Sequence, residues 1–196
     1  MNLTSINADV FRAINDLGKQ FSFMNPIMVF VAEYLLYILA LYVLVCWFTR
    51  NRGNKMMIVS AVIAFGLAEL IGKLAGKLHV NYQPFAELDD VNQLVEHAID
   101  NSFPSDHTIL FFSFCFTFLF FRKKPAVLWV ITAILVGLSR IWVGVHYPGD
   151  VAVGALIGIA SAWVASRIAP KLPFIHKLLG IYEKLEQKIV PVKNRA

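Results

Sequence analysis

Five stretches of the chain are apolar almost without interruption: Ile27 to Phe48, Met57 to about Ala75, Ser105 to Phe121, Val127 to Val145 and Val151 to Ala169. A helix needs about 20 apolar residues to cross a hydrocarbon core roughly 30 Å thick. The pattern therefore predicts an all-α, polytopic membrane bundle of about five transmembrane helices. Ahead of the first stretch, Leu3, Ile6, Val10, Ile14 and Leu17 recur at helical spacing among Asp9, Arg12 and Asp16. That spacing predicts an amphipathic helix lying in the membrane interface within residues 1–24. Residues 171–196 are basic and amphipathic and are expected to rest on an anionic lipid surface. The reading is of one integral-membrane domain over 1–196 with its core at 27–169.

Composition excludes a soluble domain, since 58% of the residues are hydrophobic and 16% charged, with a mean hydropathy of +0.62. No basic region leads into a short apolar core and cleavage site at the N-terminus, so the first span is expected to act as its own insertion signal. The two cysteines, Cys46 and Cys115, fall at different depths of their spans and are expected to pack without bridging. The expected partners are membrane lipids and a lipid substrate, not nucleic acid.

Charge sets the orientation. Arg50, Arg52 and Lys55, then Arg122, Lys123 and Lys124, then Arg167, Lys171 and Lys177 recur after every second crossing, as short cytoplasmic loops do. The loop from Leu78 to Phe103 carries Glu87, Asp89, Asp90, Glu96 and Asp100 with no Lys or Arg. The N-terminus is then outside and the C-terminus inside. Three polar clusters share the outer face: KLAGKLHVNYQPF from Lys73, PSDH from Pro104 and SRIWVGVHYPGD from Ser139.

Those clusters contain the parts that phosphoryl transfer needs: cations and N–H donors around the phosphate oxygens, a nucleophile in line and an acid behind the leaving oxygen. Arg140 offers a fork of donors and Lys77 a point charge. Ser105 offers a hydroxyl, and the first turn of the third span offers free N–H groups. His107 and His146 divide into nucleophile and general acid. Asp150, four residues after His146, is placed to hold the opposite ring nitrogen. Glu69, Lys73 and Lys77 lie four apart on one helical stripe, so Glu69 can pair with Lys73 and leave Lys77 free for phosphate. Glu33 either borders the site or stays protonated among packed helices. His79, His97 and His176 have no partners at useful spacing and default to surface residues. Gly72 with Gly76, and Gly154 with Gly158, are small pairs that permit close helix approach. The aromatic run from Phe111 to Phe121 is expected to face lipid, with bordering the substrate tail as the other option.

PSDH followed by SRIWVGVHYPGD resembles the second and third signatures of the type 2 phosphatidic acid phosphatase family, lipid phosphate phosphatases related to vanadium haloperoxidases. The resemblance runs from about Leu67 to Ala169, and within the family the chain is similar to the bacitracin-resistance branch of undecaprenyl-diphosphate phosphatases. It implies a helical bundle, no metal or other cofactor, and a phosphohistidine intermediate. His146 would be the nucleophile, Asp150 its orienting partner and His107 the acid, with Arg140, Ser105 and Lys77 as phosphate ligands. Where the family's first signature ends in Arg-Pro with a Lys seven positions before, this chain has Gln83-Pro84, Gly76 and then Lys77. Gln83 would add a hydrogen bond without charge. Asp106 stands where many members have Gly; the bacitracin-resistance branch is similar to this chain in carrying Asp there, and the backbone N–H of Asp106 would serve the phosphate. The expected activity is hydrolysis of an isoprenyl diphosphate at the outer face, which recycles the cell-wall carrier lipid and removes the target of bacitracin. The alternatives are a phosphatase of phosphatidylglycerophosphate or phosphatidate, and a carrier that binds a lipid phosphate without cleaving it.

Overall fold

The structure, a computed structural model, describes residues 3–122 and 126–189. Lys123 and Lys124 of the second basic cluster and the last seven residues of the basic C-terminal segment lie outside them. Among the described residues every regular element is helical. The α-helices are α1 (Leu3–Asn15), α2 (Leu17–Gln20), α3 (Asn25–Glu33), α4 (Leu35–Phe48), α5 (Arg52–Leu78), α6 (Pro84–Glu87), α7 (Asp106–Phe121), α8 (Val127–Trp142), α9 (Pro148–Ile168) and α10 (Pro173–Ile189).

The span count differs from the expectation. Two helices, Arg52–Leu78 and Pro148–Lys171, are long and apolar enough to cross a membrane, and a third crossing results if Ser22–Glu33 and Leu35–Phe48, bent by 41°, are taken together. α7 and α8 have 16 residues each, about 24 Å at 1.5 Å per residue, so by length alone neither reaches across. The fourth apolar stretch was predicted to run on to Val145, but α8 stops at Trp142. Gly144 turns the chain there with φ +87°, a left-handed conformation that a side chain disfavours.

α7 is the central helix, packed against α5, α8 and α9. Its aromatic run is therefore largely core and not lipid-facing: Phe111, Phe112, Cys115 and Phe118 are buried with Leu39, Met57, Ala61, Ala133 and Val136. An apolar helix without a polar face belongs in such a position. Gly72, Gly154 and Gly158 face it, and Gly76 faces the loop that leads into it. A Cβ on Gly72 would lie 2.6 Å from Ile109 Cδ1, one on Gly76 2.8 Å from the Phe103 carbonyl, and one on Gly158 2.8 Å from Phe112 Cβ and 3.1 Å from the Ile109 carbonyl. Hydrogen in place of Cβ is what lets α5 and α9 close on α7. Cys46 and Cys115 are both buried and free.

The two end segments dock on protein. Phe11 of α1 is fully buried against Ile141 and Tyr147, with Ile14 alongside, whereas Ile6 and Val10 of the predicted stripe are exposed. Asn15 donates to the carbonyls of Trp142 and Asn92, and Arg12 to those of Asp89 and Asp90. At the opposite end α10 packs Ile175 and Leu179 on Met56 and Ala169. Lys55, fully buried, pairs with Glu186 at 2.5 Å, and Arg52 pairs with Glu183. The basic cluster at the start of α5 thus latches the C-terminal helix in place, and α10 does not lie on lipid alone.

Candidate active site

Four ends meet at one pole of the bundle: the C-terminal ends of α5 and α8 and the N-terminal ends of α7 and α9. The backbone ties them directly. Ser105 N donates to the Asp150 carbonyl, and His146 N to that of Arg140. The 79–105 loop folds back over this pole, with Ser102 N on the Asn81 carbonyl, Leu94 N on the Val143 carbonyl and Asn101 Nδ2 on the Gly76 carbonyl. Tyr147 anchors it from the other side through its hydroxyl, which donates to Glu87 at 3.0 Å.

His146 is buried in the turn between α8 and α9. Its Nδ1 lies 3.0 Å from the Ser102 carbonyl, which can only accept, so the proton sits on Nδ1 and the lone pair on Nε2. The expected direct bond to Asp150 is not formed: Oδ2 is 3.7 Å from Nδ1, beyond hydrogen-bond reach. Asp150 Oδ2 accepts instead from Ser102 Oγ at 2.7 Å and from Tyr147 N at 2.9 Å, so it orients the imidazole through Ser102 while capping α9. Burial pushes the imidazole below the ordinary histidine value, Arg140 lowers it further and Asp150 pulls it partly back. A neutral ring with a free Nε2 is a nucleophile.

Arg140 is 1% exposed, and a buried guanidinium needs partners. Nη1 lies 3.0 Å from Glu33 Oε1 and 3.3 Å from the Ala32 carbonyl, while the buried Nε has no partner among the described residues. Glu33 thereby receives a definite place, as the counter-ion that orients Arg140.

Ser105 is buried and precedes α7; its Oγ accepts from Thr108 at 3.0 Å and does not cap the helix. The first intrahelical bond is Ile109 N to the Ser105 carbonyl, which leaves the N–H groups of Asp106, His107 and Thr108 for an anion. His107 is half-buried and within electrostatic reach of Arg140, His146 and His97. It lines a cleft of about 240 Å³ with Leu36, Phe65, Glu69, Asp106 and Leu110. Lys73 and Lys77 are both exposed and line a neighbouring cleft of about 460 Å³ with Asn101, Phe103 and Asp106. Asp106 is exposed where the two clefts adjoin.

Gln83, expected to add a hydrogen bond to the phosphate, is engaged with the loop in this structure. It is fully buried, its Nε2 donates to Asp100 Oδ1 and its Oε1 accepts from Asp100 N at 3.2 Å. Its amide clamps the loop to itself. Ser102 and His97 were missed by sequence reasoning. Ser102 lies outside the motifs, and His97, read as a surface residue, has its ring 6.1 Å from that of His146. His79 stacks edge-on with Phe103, and His176 bonds the Pro170 carbonyl at the far pole. Among the described residues no three His, Cys, Asp or Glu side chains form a group that could hold a metal ion.

Comparison with known proteins agrees with this arrangement. Over 196 residues the chain is 57% identical to a Bacillus licheniformis protein named bacitracin transport permease protein BcrC, covering 100% of this chain and 97% of that one. It is 35% identical to undecaprenyl-diphosphatase BcrC of Bacillus subtilis, over 94% of this chain and 95% of the relative. The crystal structure of LpxE from Aquifex aeolicus superposes with a TM-score of 0.64 at 27% identity, covering 83% of this chain and 95% of that one. Residues 57–174 match the PAP2 superfamily and take in His107, Arg140, His146 and Asp150, so the chain is a member of that superfamily.

Proposed function

We propose that this protein is an undecaprenyl-diphosphate phosphatase that hydrolyses the terminal phosphate of the lipid through a phosphohistidine on His146. The observation that carries the reading is the state of His146 beside Arg140: a buried neutral imidazole with Nδ1 committed and Nε2 free, next to a guanidinium whose Nε has no partner. The name of the Bacillus subtilis relative supplies the substrate class.

The chemistry proceeds in two displacements. The Nε2 lone pair attacks the terminal phosphorus, a P–N bond forms, and the bridging P–O bond breaks. Arg140, the Ser105 hydroxyl, the first-turn N–H groups of α7 and Lys77 offset the charge on the equatorial oxygens. The leaving group is itself a phosphate monoester with a second pKa of about 6, so it asks little of an acid. His107 gives it a proton, then accepts one from the water that attacks the phosphohistidine. Inorganic phosphate leaves and His146 is restored. Asp106 contributes its backbone N–H, and Gln83 holds the loop.

Five crossings are part of this proposal: the bent α3–α4 pair, then α5, α7, α8 and α9. The acidic loop and the basic turns at the other pole support a site on the extracytoplasmic face, where a carrier lipid is recycled and bacitracin finds its target.

The name of the Bacillus licheniformis relative raises transport as the second reading. Purified protein should release phosphate from undecaprenyl diphosphate in the presence of a chelator, and His146→Ala should abolish release and the acid-labile phosphate trapped on the chain. No release from any lipid phosphate by the intact protein would favour transport, whereas release unchanged in His146→Ala would remove the phosphohistidine on that residue. Slower release from phosphatidate and phosphatidylglycerophosphate than from the prenyl diphosphate would establish the substrate.

A further inference from the structure

His97 stands beside the nucleophile, yet the two displacements leave it without a role. Its ring centroid is 6.1 Å from that of His146, with the planes at 74°. Its Nδ1 lies 2.9 Å from the Ala98 carbonyl, so that nitrogen carries a proton and Nε2 is the ring atom left to act. His146 is set in the same way on the Ser102 carbonyl. Two imidazoles thus rest their Nδ1 atoms on carbonyls of one loop.

That segment is pinned. Asp100, three residues on, is gripped by Gln83, and Leu94 N is bonded to the Val143 carbonyl. Side chain and loop together deliver a half-buried ring to the same pocket rim on which His146 turns. The rings are too far apart to bond each other directly at the ordinary ~3 Å. They can still share a third group that carries acceptor oxygens, as a phosphoryl on His146 would.

We infer that His97 is a third imidazole of the site, donating from Nε2 to a non-bridging oxygen of the phosphoryl group as it passes onto and off His146. The inference rests on the phosphatase reading above. The incoming phosphoryl group brings negative charge into a cluster of His97, His107, His146 and Arg140, which are within electrostatic reach of one another. Donating from both nitrogens takes the imidazolium form, which would pair with an anionic oxygen. The surrounding carboxylates, Asp150 and Glu33, are already engaged with Ser102 and Arg140. Neither takes the place of the anion.

The test uses the intact purified protein and two readouts, phosphate release from a prenyl diphosphate and its inhibition by added inorganic phosphate. In His97→Ala, KM for the diphosphate and the inhibition constant for phosphate should both rise on the order of tenfold, and His97→Gln, which keeps a donor at similar reach, should recover part of both. Phosphate inhibition of His97→Ala within about twofold of the wild type, or a His97→Gln no better than His97→Ala, would overturn the inference while leaving the phosphatase intact. A wild-type protein that releases no phosphate would instead remove the phosphatase reading on which it stands.

Discussion

Arg140 on α8 and Glu33 at the end of α3 meet at 3.0 Å through a single guanidinium nitrogen, Nη1. The bond fixes the plane of a fully buried side chain, and the Nε that points away from it has no partner among the described residues. In the proposed mechanism Glu33 thereby leaves the other edge of the fork for the phosphate. Truncation to Ala should free the guanidinium to rotate and lower kcat/KM on the order of tenfold, with Glu33→Gln recovering most of the loss because Oε1 can still accept. Steady-state kinetics of both variants decide it. In an Arg140→Lys background, Glu33→Ala should cost little more, since the two residues act as a unit.

Acid should silence the enzyme through His146. Its imidazole lies below the ordinary histidine value because it is buried, so it remains neutral at neutral pH and becomes protonated only as pH falls below about 6.5. kcat/KM is then lost as pH falls through that lowered value. Asp150 pulls the value up, so Asp150→Asn should move the acid limb to still lower pH while cutting the plateau by roughly tenfold or more. A pH–rate profile of both proteins measures the shift, and a limb that moves upward would contradict the assignment.

Gln83 and Asp100 form one clamp, so Gln83→Ala and Asp100→Ala should each lower activity several-fold and the double variant should cost about the same as either alone. A phosphate ligand would behave differently. Its loss would raise KM and the phosphate inhibition constant, and Asp100→Ala would not mimic it. The double-mutant cycle on KM separates the two roles.

Gly158→Ala places a Cβ 2.8 Å from Phe112 Cβ and 3.1 Å from a backbone oxygen of α7. Neither neighbour is the end of a flexible chain, so the helices must part. A destabilisation of about 1–3 kcal/mol is expected, read as a fall of several degrees in the apparent Tm of the detergent-solubilised protein. Gly66→Ala on α5, with nothing within 4 Å of the added atom, serves as the control and should leave Tm near that of the parent.

The residues given roles in the proposed chemistry could be picked out because one turn or one helix end presents them: Arg140, His146 and Asp150 flank a single α8–α9 turn, and Ser105 with His107 opens α7. What escaped depends on tertiary structure. Ser102 acts partly through a backbone carbonyl, for which no side chain is diagnostic. Glu33 finds Arg140 only when α3 packs on α8, and His97 reaches its neighbour only when the loop is pinned. The position of Gln83 in the motif says nothing of Asp100 folding back on it. Hydropathy located the apolar stretches but overstated the length of the fourth, since the turn at Gly144 ends α8 before the apolar residues run out. The periodicity of residues 3–17 predicted a helix, but it passed over Phe11, which buries itself against protein with Ile14, while Ile6 and Val10 of the stripe stay exposed.

With α7 crossing the bilayer as proposed, its shortness has a consequence for how a lipid is reached. A rod of about 24 Å cannot hold both ends at the surfaces of a hydrocarbon layer of about 30 Å. If its opening turn, with Ser105 and His107, is the end that falls short, that turn sits sunk beneath the plane of the surrounding headgroups. A prenyl chain need not be hauled upward into water to be dephosphorylated; its polar end slides down a shallow well while the tail stays in oil.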